Sequence, residues 1–569
     1  QQLSTILKDP TQPTRARLEA LWGLLRVSSG PERTAVIQLA LSDDHSDPVA
    51  VAALRELEDP SLIASLFELY FVQSAATQNH GFRLALLSCW NPAVAWKTNP
   101  QQFAKYFQPG GAIESHLNDP YLFCTLRDRL RKTWPKEALL FLRPVLEATP
   151  LTRQLSVLIS RDLAPKDVDT VGKLLNDPDV ELRRMAVQWA AEEHLETLRD
   201  SVEALLSNPG TTPLLFQSVL AAVEMYRGTP GLAYEDRPST QLLLPIVTDT
   251  KRPAMLRALA LRLIDPRTPE LKADLLKELL ANESLELRTE AINTLLLSPP
   301  DNLADLLQPI LTEQHQPGVL QADAIVALAA RLPAAGENDP ALSLATSALE
   351  SKEPLVRYEA LRAMRAWPKD LPLPKSETIR SLPLLADDPR WREQIALLRQ
   401  LSGRTSDYPE VDIQRPATVD EWKQATNTGG NPELGRRVFF HPQGLGCFRC
   451  HQVQGRGERI GPDLSTISRS LDREKLQRSI LEPSRDVAPQ FVTWTLQLRD
   501  GRLLTGMIVQ ENNAKIILGT SEGKLVTIDN IDVEERVLQK ASLMPDNLIQ
   551  QMTRSEFIDL LAYLETLRR

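Results

Sequence analysis

One pattern returns inside helix-like stretches through the first 370 residues: an apolar residue, Arg, two further residues and Ala. Leu256-Arg257 with Ala260, Leu287-Arg288 with Ala291 and Val356-Arg357 with Ala360 are its clearest copies. Ala16-Arg17, Phe82-Arg83, Thr152-Arg153 and Leu182-Arg183 open near copies, and degenerate ones begin at Val49, Tyr121, Leu215 and Leu320. Eleven anchors from Ala16 to Val356 make ten steps averaging 34 residues, each between 30 and 41. A chain with this period is built from units that cannot bury an apolar face alone and must stack.

Each step has room for two short helices. In Asn176-Asp177-Pro178-Asp179-Val180 an Asx/Pro turn ends one helix and caps the next, because Asp accepts unpaired N–H groups and Pro is tolerated in a first turn. Asp47-Pro48, Asp119-Pro120 and Glu353-Pro354 repeat the device, so the 42 prolines punctuate helices. The small Ala allows paired helices to approach closely. The array resembles the HEAT/armadillo class, since the Trp/Gly/Tyr signature of tetratricopeptides is absent. The fold expected is mainly α: an α-solenoid over 1–402, its last irregular unit at 371–402, then a linker at 403–425 that has Pro409, Pro416 and no apolar period. Such an array implies a surface for protein docking or a spacer. Asp43-Asp44-His45-Ser46-Asp47 is dense in oxygen ligands but lacks the glycine and glutamate of a calcium loop, so it reads as a capped helix start. Cys89 and Cys124, among apolar neighbours, read as buried free thiols.

Charge narrows the partners. The net charge of −9 argues against nucleic acid. Residues 426–569 hold 19 Lys and Arg against 18 Asp and Glu, so the acidity belongs to the array. No apolar run reaches the ~18 residues of a membrane span. The opening Gln1-Gln2 runs straight into helical sequence, which reads as a removed leader or a fragment. Four cysteines are too few for a disulfide framework.

The chemistry lies in residues 426–569. Cys447-Phe448-Arg449-Cys450-His451 has the spacing for covalent haem attachment: two thiols that can each add to a haem vinyl group, followed by an imidazole to ligate the iron. A redox dithiol or half of a zinc site shares the Cys pair. No second pair completes a four-cysteine zinc centre, and adjacent Cys450 and His451 would chelate one small ion awkwardly, even with His441 as a further ligand. Gly461-Pro462-Asp463-Leu464 follows at the distance where, in c-type cytochromes, a proline carbonyl accepts the proximal His Nδ1–H. Asn431 to Phe440 reads as a capped helix with Gly435 and Phe439 one turn apart, and about Ser555 to Leu567 as the final helix, with a close crossing between them. These features resemble class I cytochromes c.

The sixth iron ligand is expected at Met544, in Leu543-Met544-Pro545, ahead of the final helix. Met507 lies in a strand-like stretch and Met552 beside the last helix, and His441 is the bis-histidine alternative. His451 and Met544 are 93 residues apart, more than a minimal cytochrome c needs. The surplus is β-like: Phe491–Arg499 alternates, Asp500-Gly501 turns a hairpin, and four more short strands follow, giving a small barrel or sheet inserted at about 490–540.

From Gly435 onward the chain resembles the haem-binding domain of large c-type cytochrome proteins of Planctomycetes and Verrucomicrobia. The landmarks are Gly435-Arg436-Arg437-Val438-Phe439, Cys447–His451, Gly461–Leu464, Ile480-Leu481-Glu482-Pro483-Ser484, Asp500-Gly501-Arg502, Ser542–Pro545 and Asp559–Leu564. The resemblance implies one covalent haem c, a periplasmic or cell-surface location, and a redox partner protein such as a β-propeller dehydrogenase. No blade-like β repeat precedes residue 490, so that propeller would be a separate subunit or part of a longer chain. The expected function is electron transfer through haem held by Cys447, Cys450, His451, Pro462 and Met544, with iron ligated by His451 and Met544. The alternative is the electron-accepting part of a substrate-oxidising assembly. Residues 1–402 contain no nucleophile elbow, phosphate loop or zinc-protease motif.

Overall fold

The computed structural model describes the chain except residues 42–47, 58–62, 64–65, 68–79, 93–96, 98, 110, 112, 114–116, 134–145, 229–239, 314, 374–378, 380–388, 405–406 and 569. The calcium-like stretch at 43–47, and Pro374 and Pro383 of the last irregular unit, lie outside the described residues. The protein is mainly helical, with one small antiparallel sheet near the C-terminus. It divides into two compact units, Gln1–Thr229 and Pro230–Arg569. Among the described residues no helix is long and apolar enough to cross a membrane.

In the first unit the helices that carry the repeat motif pack in succession: Thr14–Val27, Pro48–Arg55, His80–Cys89, Pro120–Thr133, Pro150–Leu163, Val180–Glu192 and Pro213–Tyr226. The expected caps are present at Asp119, which accepts from Leu122 N at 3.0 Å, and at Asp179, which accepts from Glu181 N at 2.8 Å. Glu353 stands at the equivalent place before Pro354 without making a side-chain cap bond. Cys89 is half-buried, its thiol donating to Leu54 O at 3.1 Å, but Cys124 is exposed, which corrects the expectation of a buried thiol. Leu122, Leu126 and Leu130 form the buried stripe of that helix, and position 124 falls on the opposite side.

The second unit has two rows of helices. Ala254–Leu263, Leu285–Leu297, Gly318–Leu328, Pro354–Ala363 and Pro389–Ser402 stack on one another, and Ala273–Leu280, Leu303–Thr312 and Pro340–Ala348 form the other row. The recurring Arg gains a purpose here. Arg257 Nε donates to Val247 O at 2.7 Å, and Arg288 Nε to Leu280 O at 2.9 Å. Arg17, in the first unit, reaches Leu7 O at 3.2 Å, and in the second unit Gln321 of a degenerate copy reaches Ile310 O at 3.2 Å. Every acceptor lies in the last turn of the preceding helix, where carbonyls have no partner within the helix. In these copies the motif ties a helix end to the next helix, whereas Arg153 pairs with Asp177, Arg183 reaches Gly210 O at 3.0 Å and Arg357 reaches Ser351 O at 2.6 Å in the loop before its own helix. Replacing Arg257, only 3% exposed, by Met keeps the packed stem but strips the Val247 carbonyl of its donor. A loss of about 1–3 kcal/mol in urea unfolding is expected; a change below ~0.5 kcal/mol would show the bond to be dispensable.

Residues 403–425 are more than a tether. They contain the helix Val419–Ala425, whose Trp422 is buried, with the Arg415 guanidinium 5.5 Å from its ring and the Phe557 ring 5.8 Å away. Arg415 also donates to Met552 O at 2.9 Å.

The strands are β1 (Thr493–Leu498), β2 (Leu503–Glu511), β3 (Lys515–Gly519), β4 (Leu525–Asp529) and β5 (Val533–Gln539). They form an antiparallel sheet in the order β4-β3-β2-β1-β5. Leu496 and Leu498 of the alternating β1 join Ile516, Leu518 and Ile528 in its core. The β1–β2 turn uses Gly501 at φ 86°. Alternation read along the chain placed these strands because one face is buried and the other is wet.

Candidate functional site

Helices Pro432–Phe440 and Arg554–Thr566 cross where Gly435 meets Asp559 and Tyr563. A Cβ on Gly435 would lie 1.9 Å from Asp559 O and 2.8 Å from Tyr563 Cβ, so only glycine permits this approach. Asn431 caps the first helix through Glu433 N at 2.9 Å, and its own N–H donates to Asp559 Oδ1 at 2.7 Å. A capping box of Thr553 and Glu556 starts the second helix. Above the crossing, buried rings run from Tyr563 through Phe439 and Phe440 to Phe448, with centroids 5.8, 4.9 and 6.0 Å apart. The last of them lies inside the Cys447–His451 turn.

That turn opens on Gly446 at φ 60° and is closed by His451 N donating to Cys447 O at 2.9 Å. Gly461 N donates to Cys450 O at 2.7 Å, which brings the 461–462 segment under the histidine. His451 Nδ1 is 2.9 Å from Pro462 O. A Cβ on Gly461 would lie 2.6 Å from His451 Cε1, so the ring rests directly on backbone. A carbonyl can only accept, so Nδ1 carries the proton and Nε2 keeps its lone pair. His441 is in the opposite state. Its Nδ1 accepts from Gln443 N at 3.1 Å, which leaves the proton on Nε2, and that buried nitrogen has no hydrogen-bond partner. Burial, then Arg362, Arg365 and Arg449, hold its pKa well below the usual histidine value. Of the two rings, His451 offers a ligand nitrogen and His441 offers a donor.

The thiols are not tuned for disulfide exchange. Burial pushes Cys447 up to about 12 and raises Cys450 also, whereas a redox thiol is held low. Burial likewise lowers the His451 pKa, opposed by the bond to Pro462. Among the described residues no three His, Cys, Asp or Glu side chains gather as a metal site of their own. A haem suits the donor set better than a bare ion. Two neutral thiols flank a turn, one imidazole has Nδ1 engaged and Nε2 available, and a glycine clears the ring.

Met544 is half-buried on a loop fixed from another direction. Its N–H donates to Ser542 Oγ at 3.1 Å, Ser542 N donates to Ser484 Oγ at 3.1 Å, and Ser484 Oγ donates to Asp546 Oδ1 at 3.0 Å. The Ile480–Ser484 landmark therefore acts as the anchor of this loop. Met507 and Met552 are buried, at 5% and 0% exposure. The sheet touches the turn: a Cβ on Gly523 would lie 2.7 Å from Arg449 Cβ, and one on Gly519 would lie 2.6 Å from Ile460.

Four carboxylates of the array went unnoticed in the sequence. Glu290, Asp323 and Glu359 lie on successive motif helices and Glu393 on the following helix Pro389–Ser402, and all four are buried. Glu290 accepts from Arg456 Nε at 2.9 Å and Arg262 Nε at 3.0 Å. Asp323 accepts from Arg437 Nε at 2.7 Å and takes both its bonds from Arg436 at 2.8 Å. Glu359 orients Arg362, whose Nε is 2.9 Å from Glu556, and Glu393 accepts from Ser555 N at 2.8 Å. The residue before the motif Ala is Leu259 or Met185 in some copies and acidic at Glu290, Asp323 and Glu359, but it is acidic at the exposed Glu19 as well, so that position does not by itself mark a buried acid. No known protein family matches this chain, and no curated protein resembles it closely enough to count as a relative.

Proposed function

We propose that this chain is an electron carrier: a HEAT-like helical solenoid whose C-terminal domain, of the class I cytochrome c kind, holds one covalent haem c. The observation that carries this reading is the state of the His451 ring, with Nδ1 held by Pro462 O at 2.9 Å and the ligand nitrogen left available beside Cys447 and Cys450. A haem so held supplies one reversible electron at its iron. The chain's own residues do the rest. Cys447 and Cys450 attach the porphyrin, and the Pro462 carbonyl fixes the imidazole tautomer and raises its basicity. The Ser484–Ser542 bonds hold the loop that carries Met544, which would supply a thioether to the iron. Buried Phe439, Phe440 and Phe448 keep water out behind the turn. By resemblance, the partner is a redox protein such as a separate propeller dehydrogenase, met in the periplasm or at the cell surface.

Produced in a host that matures c-type cytochromes, the protein should gain the mass of one haem and give a pyridine haemochrome spectrum. The Cys447→Ser, Cys450→Ser double variant should lose both. Colourless wild-type protein of unchanged mass overturns the reading. Met544→Ala should open a coordination position that binds carbon monoxide in the ferrous state, whereas His441→Ala should not; the reverse result gives the sixth position to His441.

A further inference from the structure

The loop from His451 to Pro462 is held at both ends by different parts of the protein. At its base Glu458 N donates to Phe448 O at 2.8 Å, Gly461 N to Cys450 O at 2.7 Å, and a Cβ on Gly457 would lie 2.3 Å from His451 O. At its tip Val453 and Arg456 exchange backbone bonds of 2.8 and 3.0 Å around Gln454 and Gly455, at φ 50° and 89°. Two positive φ angles make a tight two-residue turn. This tip is seated on the array: a Cβ on Gly455 would lie 2.7 Å from Leu263 Cδ2. Arg456 meets Glu290 through two nitrogens, and Glu458 lies 3.3 Å from Arg267. Glu290 is 3% exposed and stands where the preceding copy of the motif has Leu259. A carboxylate there is sustained only by its partners, Arg456 from the loop and Arg262 from the neighbouring helix.

We propose that Glu290 is a positioning residue for His451: by clamping Arg456 to the array, it holds the loop that sets the Pro462 carbonyl against the imidazole. This inference rests on the reading of Cys447–His451 as a haem-attachment turn. The seven residues from Arg456 to Pro462 have little slack, because Gly457 and Gly461 each lie in contact with His451. A shift of helix Leu285–Leu297 is therefore passed to the ring through the loop, and the array sets the basicity of the iron's imidazole.

The test compares Glu290→Gln with wild type in the full-length protein. The first readout is amide hydrogen exchange over residues 452–462. The second is the His451 ring by 15N NMR in the ferrous state, where a fixed Nδ1–H is expected. Glu290→Gln should speed loop exchange at least tenfold and broaden or average the Nδ1 signal, with a shifted midpoint potential. Arg267→Ala, which removes the outer contact of Glu458 together with the Asp265 pair, should do the same severalfold less and covers the case in which Glu290→Gln does not fold. Glu393→Gln breaks a different link to the array and should leave both readouts as in wild type. Unchanged loop exchange in folded Glu290→Gln overturns the clamp. Faster loop exchange with an unmoved His451 signal overturns the positioning role, and so does an equal effect of Glu393→Gln. If the chain takes up no haem, loop exchange and the His451 15N signal are read on the haem-free polypeptide, where the same differences between variants are expected, so failure of the haem reading is seen separately.

Discussion

Gly435→Ala is expected to destabilise the C-terminal domain by about 3 kcal/mol or more, at the upper end of overpacking costs. On helix propensity alone the change would stabilise by about 1 kcal/mol, so the two arguments differ in sign. The crossing decides between them. The new methyl carbon would lie 1.9 Å from Asp559 O and 2.5 Å from Asp559 C, which are backbone atoms that no rotamer change can move aside. Asp559 is itself pinned by Asn431 N at 2.7 Å, and Tyr563 packs on Phe439 at 5.8 Å. The two helices would have to separate, and the aromatic run behind Phe448 would open with them. Urea unfolding followed by tryptophan fluorescence measures the loss; an unchanged or higher midpoint would refute the close crossing.

Asp323→Ala is expected to cost about 3–5 kcal/mol, the usual penalty when one partner of a buried ion pair is removed. Asp323 is 4% exposed and receives Arg437, 2% exposed, together with Arg436. Without the carboxylate, the buried Arg437 guanidinium is left without its counterion and the partly buried Arg436 keeps only Glu433. The double variant Asp323→Ala, Arg437→Met should recover much of the loss, because it removes a buried charge along with its partner. If the single variant lost less than ~1 kcal/mol, the pair would be behaving as a surface ion pair and the burial argument would fall.

The repeat was legible because stacking demands an apolar residue and a small residue at fixed places in every unit. The role of its Arg was not, since the acceptor is a carbonyl eight to ten residues upstream, as with Leu280 for Arg288 and Val247 for Arg257. Those carbonyls leave no mark in side-chain identity. The approach of the Pro462 carbonyl to His451 was legible because the spacing of the two residues brings them together. The anchor of Met544 was visible only as an unexplained Ile480–Ser484 landmark; its bonds span 58 and 62 residues of sequence. Cys124 misled because its neighbours Leu122 and Phe123 were read as a run, whereas a helix turns adjacent residues to different sides. The stretch 403–425 looked like a tether because one Trp makes no period, yet the buried Tyr408 and Trp422 and the Arg415 bond to Met552 O seat it.

The row of acids on the array has a mechanical consequence. Arg437, Arg456 and Arg554 find their carboxylates outside residues 426–569, and so does Arg436 for its closer partner, Asp323, with Glu433 as its second. A fragment cut at the apparent boundary would carry these cations with their counterparts missing, together with a final helix that had lost the Glu393 acceptor at its start. The C-terminal portion is thus moored along its length and is no pendulum swinging on a cord. Any molecule exchanging electrons with it would have to come to the berth where it lies.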